Sequence, residues 1–125
     1  MGLTHKSLIV KESRRSAEMR DVEFLIDSRA VHSLVPKPIL AELGIEPYKD
    51  VKFVLADGTT VERRVGDAYF EYNGYGGAAP VIFGEEGDEP LLGATTLESL
   101  GLVLNPLRRE LYPMRMMLAR TDLAG

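Results

Sequence analysis

The fold of this chain is decided by the stretch Phe24-Leu25-Ile26-Asp27-Ser28-Arg29-Ala30. Its first part is almost entirely apolar, which is typical of a β-strand that is buried on both faces. The strand leads directly into Asp27, and an ionised carboxylate at the end of a buried strand is costly unless it is paired or hydrogen-bonded. Asp27 is therefore the leading candidate for a functional residue.

Two interpretations of Asp27 follow from its local context. In the first, it initiates a turn, and its side chain accepts hydrogen bonds from nearby backbone N–H groups. In the second, a carboxylate at the mouth of a core strand is positioned for acid–base catalysis. One Asp lacks a partner for that chemistry. A two-fold homodimer would supply the partner, because an isologous interface places the same residue against itself.

Hairpins dominate the rest of the sequence. The pairs Asp57-Gly58 and Asn73-Gly74 are each flanked by strand-like runs, which predicts two hairpins with two-residue turns. The strands of these hairpins are expected over residues 51–56, 59–65, 67–72 and 75–83. Further strands are predicted over residues 3–10 and 91–93, with a last hairpin over residues 102–112.

Two short helices are predicted between the strands. Pro38 suits the first turn of a helix that ends at Gly44. A second helix is predicted to begin at Thr95, which forms a capping box with Glu98, and to end at Gly101. Each helix follows a buried strand and a sharp turn, so one strand–turn–helix unit occurs twice. This repetition indicates a small pseudo-symmetric barrel.

The run from Phe24 to Ala30 resembles the Asp-Thr/Ser-Gly-Ala signature of retroviral-type (retropepsin-like) aspartic proteases. The later elements follow in the order of that family: a short helix, a glycine-tipped hairpin, and then Leu91-Leu92-Gly93 before a C-terminal helix. The resemblance covers residues 3–112. It implies a mostly β fold, a closed acid-protease barrel with a flap hairpin and one or two short helices, active as a homodimer. The implied protease domain spans residues 1–113, and residues 114–125 form a C-terminal tail.

The resemblance also implies that the chain hydrolyses peptide bonds without a cofactor or metal. Two Asp27 carboxylates about 4 Å apart would repel by roughly 4 kcal/mol at an effective dielectric constant of about 20. This is about three pKa units, so one carboxylate would keep a proton while the other is ionised. The ionised carboxylate would activate a water molecule, and the protonated one would polarise the peptide carbonyl of the substrate.

Neighbouring residues receive supporting roles from the same resemblance. Ser28, Arg29 and Ala30 complete the catalytic loop, and in the family the position of Ser28 supplies a hydroxyl that crosses the dimer interface. The flap is assigned to Ala56-Asp57-Gly58-Thr59, which would close over an extended peptide or protein substrate. Without Asp27 as context, this segment is typical of an ordinary surface hairpin.

Arg29 departs from the family pattern, which has glycine there so that a substrate can approach the backbone closely. A guanidinium beside the pair would lower a carboxylate pKa by about 1–3 units and could leave both carboxylates ionised, with no acid. A guanidinium that points outward would only narrow the approach. Three hypotheses follow: an aspartic endopeptidase, a catalytically impaired dimer that binds extended peptides, and a dimer that serves only assembly.

Composition argues against several other classes of function. With 125 residues and a net charge of −4, the chain is a poor match for a nucleic-acid partner. It has no cysteine, which excludes disulfides and thiolate metal sites. His5 and His32 are too far apart in sequence to indicate a metal site, although His32 could line a substrate pocket. No apolar run reaches the roughly 20 residues of a membrane helix, and no signal peptide is recognised, so a cytoplasmic protein is expected.

Two charged segments are expected to have no catalytic role. The acidic residues of segment 84–90 lack the alternating oxygen ligands of a calcium site, so a solvated loop is expected. The C-terminal tail combines Met114, Met116 and Met117 with Arg115 and Arg120. It is expected to be a docking strand or a disordered end.

Overall fold

The structure is a computed structural model that describes residues 3–115. Its strands are β1 (His5–Lys11), β2 (Arg20–Ile26), β3 (Ser33–Pro36), β4 (Lys49–Val54), β5 (Thr60–Tyr72), β6 (Tyr75–Gly84), β7 (Leu91–Leu92), β8 (Leu102–Asn105) and β9 (Glu110–Pro113). Helix α1 spans Lys37–Glu42, and helix α2 spans Ala94–Leu100. The prediction of a mostly β chain with short helices is confirmed.

Seven strands form one sheet in which hydrogen-bonded neighbours follow the order β1-β2-β7-β3-β6-β5-β4. Strand β1 also pairs with β5, so the pairings of six strands form a ring and β4 extends outward from β5. The short β7 pairs in parallel with β2 and antiparallel with β3. This pairing brings the end of β2, and therefore Asp27, beside the turn that starts α2. Strands β8 and β9 form a separate two-stranded sheet.

The core is built from alternate residues of these strands. On β2, Val22, Phe24 and Ile26 are buried, whereas Glu23 is exposed and Leu25 is half-buried. The prediction that β2 is buried on both faces is therefore wrong for the face of Glu23 and Leu25. Only one face of the strand packs into the core, where the ring of Phe24 contacts that of Phe70 with 6.1 Å between centroids.

The turn at Asn73-Gly74 has the predicted form. Both residues have positive φ angles, 47° and 86°. Tyr72 pairs with Tyr75 across the turn, which leaves a two-residue loop. This combination is the type I′ turn, whose twist matches that of the flanking strands.

The hairpin at Asp57-Gly58 differs from the prediction. The carbonyl of Leu55 accepts the N–H of Gly58 at 2.9 Å, and the N–H of Leu55 donates to the carbonyl of Thr59 at 2.7 Å. The loop therefore has three residues, with Gly58 at a φ of 89°. Strand β5 then continues through Gly66, where two separate strands were predicted. Gly66 is required for packing rather than for a turn, because a Cβ there would lie 2.7 Å from the carbonyl oxygen of Glu46.

The two helices end as predicted but begin differently. Gly44 and Gly101 follow the helices with φ angles of 81° and 72°, values that glycine adopts without strain. The residue before α2 is Gly93 in an extended conformation, and Thr95 lies inside the first turn. The predicted capping box is therefore wrong, because the chain enters the helix directly from β7. Neither helix within residues 3–115 has the length and apolar character needed to cross a bilayer.

The acidic loop after β6 is attached to the sheet rather than freely solvated. Arg63 of β5 donates two hydrogen bonds to the carboxylate of Asp88, from Nε at 2.8 Å and from Nη2 at 3.2 Å. These bonds are the main reason that the pKa of Asp88 lies below its usual value. The Asp88 carboxylate also accepts the backbone N–H of Glu85 at 2.8 Å. The loop is thereby fixed to the strand that forms the second arm of the β4–β5 hairpin.

The predicted C-terminal tail falls mostly outside the described residues. Its first residue, Met114, donates its N–H to the carbonyl of Gly101 at 2.7 Å, which continues the alignment of β9 with β8. Residues 116–125 are not among those described. The boundary at residue 113 and the role of the tail stay predictions.

Leucine-to-alanine substitutions test the assignment of the core. Leu8 on β1 is 1% exposed, and we expect Leu8→Ala to lower the free energy of unfolding by about 2–5 kcal/mol, because it removes buried apolar surface and leaves a cavity. Leu107 is 84% exposed, so Leu107→Ala should change the free energy of unfolding by less than about 0.5 kcal/mol. Urea unfolding followed by circular dichroism measures both. Equal losses in the two variants would contradict the core described here.

Candidate functional site

Asp27 directly follows β2 and is fixed by its backbone. Its N–H donates to the carbonyl of Leu92 at 3.0 Å, and its carbonyl accepts the N–H of Ala30 at 3.1 Å. Its side chain is 26% exposed. The carboxylate therefore lies at the end of a core strand, held in place but accessible from solvent.

The carboxylate of Asp27 is hydrogen-bonded by Arg29. Oδ1 accepts the backbone N–H of Arg29 at 3.0 Å and its side-chain Nε at 3.2 Å. The backbone hydrogen bond is the main reason that the pKa of Asp27 lies below its usual value; burial opposes this effect, and the guanidinium adds to it. Of the two orientations considered for Arg29, the guanidinium adopts the one beside the carboxylate, although the side chain is 92% exposed.

The rest of the candidate catalytic loop is joined to α2 by main-chain hydrogen bonds. Ser28 is exposed and Ala30 is half-buried. The carbonyl of Ala30 accepts the N–H of Ala94 at 2.7 Å, and the carbonyl of Val31 accepts the N–H of Thr95 at 3.2 Å. The role of Ser28 at a dimer interface stays a prediction.

Gly93 allows this close approach between the loop and the helix. A Cβ at Gly93 would lie 2.6 Å from the carbonyl oxygen of His32 and 2.8 Å from that of Ala30. Its N–H donates to the hydroxyl of Ser33 at 2.9 Å. That hydroxyl is buried and is also hydrogen-bonded to the hydroxyl of Thr96. The segment that ends in Gly93 therefore supports the loop of Asp27.

The hydroxyl pair of Ser33 and Thr96 was missed by the sequence analysis. Both residues are fully buried. The available signal was weak: Ser33 and His32 are the polar residues of the run Val31–Val35, and nothing in the run distinguishes Ser33 as buried. The partner was not predictable, because the two residues lie 63 positions apart in the chain.

The predicted flap residues lie together at the tip of the β4–β5 hairpin. Ala56, Asp57, Gly58 and Thr59 are all exposed. The carboxylate of Asp57 accepts the hydroxyl of Thr59 at 2.6 Å and its backbone N–H at 2.9 Å, and these bonds lower the pKa of Asp57. The tip is thus internally hydrogen-bonded, and its closure over a substrate stays a prediction.

One aromatic contact links the hairpin to the candidate catalytic loop. The ring of Phe53 on β4 meets the ring of His32 edge-to-face, with 5.8 Å between centroids. Beyond Phe53, Val54 and Leu55 are 72% and 46% exposed, which makes the end of the hairpin apolar. His32 therefore packs against the outer part of the hairpin, near its tip.

A separate cleft lies away from Asp27. It has a volume of about 720 Å³ and lies between α1 and β5, with Lys37, Ile45, Arg64 and Phe83 among its walls. A shallower depression of about 210 Å³ is lined by Ser28 together with residues of α2 and β8. Among residues 3–115, no cluster of three or more His, Cys, Asp or Glu side chains is arranged to hold a metal ion.

Comparisons with known proteins agree with the fold. The sequence matches no protein-family profile and no curated protein. Among solved structures, the chain is similar to the solution structure of the simian foamy virus (mac) protease, with a TM-score of 0.50 and 18% sequence identity. The match covers 74% of this chain and 92% of the viral chain. The chain therefore has a retropepsin-like fold, whereas the catalytic pair, the dimer and the flap stay predictions.

Serine-to-alanine substitutions test the support beneath the loop of Asp27. Ser33→Ala should lower the free energy of unfolding by about 1–3 kcal/mol, because it leaves the N–H of Gly93 and the hydroxyl of Thr96 without their buried partner. Ser99→Ala removes an exposed hydroxyl on α2 and should change the free energy of unfolding by less than about 0.5 kcal/mol. Denaturant unfolding measures both variants. A Ser33→Ala protein as stable as the parent would contradict the supporting role.

Proposed function

We propose that this chain is an aspartic endopeptidase that acts as a homodimer, in which the Asp27 residues of two chains form the catalytic pair. The observation that supports the proposal is the placement of Asp27. Its carboxylate is partly exposed at the end of a core strand, in a loop joined by backbone hydrogen bonds to α2, within a retropepsin-like fold. The mechanism needs two carboxylates, and a two-fold axis beside this loop would supply the second.

The proposed reaction is the addition of water to a peptide bond. Because the two carboxylates repel each other, the pair holds one proton between them near mildly acidic pH. The ionised carboxylate takes a proton from water as the water oxygen attacks the peptide carbonyl carbon, while the protonated carboxyl donates a hydrogen bond to the carbonyl oxygen. A proton then passes to the amide nitrogen, and the C–N bond breaks to give a carboxylic acid and an amine.

Arg29 works against the step that needs a protonated carboxyl group. Its Nε lies 3.2 Å from Oδ1 of Asp27 and stabilises the ionised carboxylate. A pair flanked by two guanidinium groups would lose its shared proton at a lower pH than a pair without them. The proposed peptidase is therefore active only under acidic conditions with ordinary peptides.

The same contact favours a second candidate function. A carboxylate that is hydrogen-bonded to a guanidinium remains ionised, and a pair without a proton has no acid. In that case the dimer would bind extended peptides without cleaving them. Turnover separates the two functions, because a binding module has none.

Replacing the catalytic carboxylate should abolish hydrolysis. We expect Asp27→Asn to reduce kcat by about 10²–10⁴-fold, because an amide cannot take a proton from water. The assay measures new amino termini released from an unfolded protein at about pH 4–5, in the range where a carboxyl pair titrates. Asp21→Asn is the matched control, because Asp21 is exposed near the opposite end of β2.

Two outcomes would contradict this proposal. One is that Asp27→Asn keeps the full activity of the parent, as the control Asp21→Asn does. The other is sedimentation that shows an active monomer at the assay concentration, since a monomer holds only one Asp27.

Removing the guanidinium should shift the pH dependence of hydrolysis. In Arg29→Gly the backbone N–H of residue 29 is kept but the cation is lost, so the pKa of the Asp27 pair rises. A pair with a higher pKa keeps its proton to higher pH, so the alkaline limb of kcat against pH should move up by about 1–3 units.

The parent protein distinguishes the two candidate functions in the same experiment. An inactive parent together with an active Arg29→Gly variant would support the peptide-binding dimer. An unchanged alkaline limb in an active variant would show that the guanidinium does not act on the pair.

A further inference from the structure

Arg29 uses only part of its hydrogen-bonding capacity on Asp27. Its Nε donates to Oδ1 at 3.2 Å, while 92% of the side chain remains exposed. The terminal nitrogens Nη1 and Nη2 lie two bonds beyond Nε. They are donors in a planar fork that matches the two oxygens of a carboxylate. The contact with Asp27 therefore anchors a carboxylate-binding group next to the candidate catalytic atom.

We propose that Arg29 makes this protein selective for peptides that carry an Asp or Glu side chain next to the scissile bond. The inference rests on the proposed peptidase function. The bond to be cleaved must lie against Asp27, and the anchored guanidinium lies beside the same carboxylate. A substrate carboxylate on a neighbouring residue can accept parallel hydrogen bonds from both terminal nitrogens, which the contact with Asp27 leaves free.

Binding of such a substrate also changes the state of Asp27. The present contact is a surface ion pair, a weak interaction that water competes for. A two-point pair with a substrate carboxylate in a groove that excludes water is stronger. The negative charge of that carboxylate offsets the positive charge of the guanidinium, so the ionised form of Asp27 is stabilised less. The catalytic pair then regains its shared proton, so an acidic substrate restores the acid that Arg29 otherwise removes.

Within residues 3–115, the groups that β7, α2 and His32 bring to the loop do not substitute for Arg29. Strand β7 contributes only Leu91 and Leu92, which are apolar. Helix α2 contributes Glu98, an acid that lines the same depression as Ser28 and would repel a substrate carboxylate. His32 follows the loop, but its ring packs edge-to-face on Phe53. Selection of an acidic side chain at this position therefore depends on Arg29.

Matched peptides test the proposal. A cleaved bond is first located by mass spectrometry of an unfolded protein digested by the parent. Peptides spanning that bond are then made with Glu or Gln on either side of it. At about pH 5.5 the Glu side chain, with a pKa near 4.3, is ionised. We expect kcat/KM to be about tenfold higher for a Glu peptide than for its Gln counterpart.

Two arginine variants serve as test and control. Arg29→Gln should reduce the Glu-to-Gln ratio of kcat/KM to about one, because the amide keeps the length of the side chain without its charge. Arg15→Gln removes the same charge from an exposed turn that precedes β2, at the opposite end of the strand from Asp27. It should keep the ratio of the parent. In the parent, the alkaline limb of kcat should also lie at higher pH for the Glu peptide than for the Gln peptide.

The outcomes separate this inference from the proposed function. Equal cleavage of Glu and Gln peptides by the parent would overturn the inference and leave the peptidase intact. If neither the parent nor Arg29→Gly cleaves any peptide, the peptidase is wrong, and fluorescence anisotropy with labelled extended peptides that differ only in one Glu or Gln decides the selectivity. Tighter binding of Glu peptides that is lost in Arg29→Gln would support the role of Arg29, and equal affinities would overturn it.

Discussion

The loop that carries Asp27 is held by main-chain hydrogen bonds. The N–H of Asp27 donates to the carbonyl of Leu92, the N–H of Ala94 donates to the carbonyl of Ala30, and the N–H of Thr95 donates to the carbonyl of Val31. The approach of α2 to the loop depends on Gly93, since a Cβ there would lie within 2.8 Å of the carbonyl oxygens of His32 and Ala30. Because the bonds join backbone groups, they do not depend on the side chain at position 29. An arginine can therefore occupy this position, where the family that the sequence resembles has glycine.

Local signals in the sequence were sufficient for most of the fold but not for its exceptions. The helix ends at Gly44 and Gly101 follow from the backbone freedom of glycine, which a single residue reveals. The apolar run that precedes Asp27 likewise identified the end of β2. Gly66 was interpreted as a break between strands, yet its cause is the distant carbonyl of Glu46. Such contacts between remote segments leave no local pattern.

The same distinction applies to the candidate site. The position of Asp27 was predictable, because the order of strand, turn and helix is local. The orientation of Arg29 was not, because two directions of its side chain were equally compatible with the sequence. The geometry places Nε against Oδ1 of Asp27. Arg29 therefore stabilises the ionised form of Asp27, while the main-chain hydrogen bonds that hold the loop to β7 and α2 involve other residues.

The ion pair between Arg63 and Asp88 also limits how the β4–β5 hairpin can move. Arg63 lies opposite Val51 in the hairpin register, and its two hydrogen bonds fix that cross-strand position to the loop after β6. Only residues 52–62 extend past this point, so each arm is about 10–13 Å long at roughly 3.3 Å per residue. Any displacement of the tip relative to the sheet has to arise within those residues, and the edge-to-face contact between Phe53 and His32 lies among them.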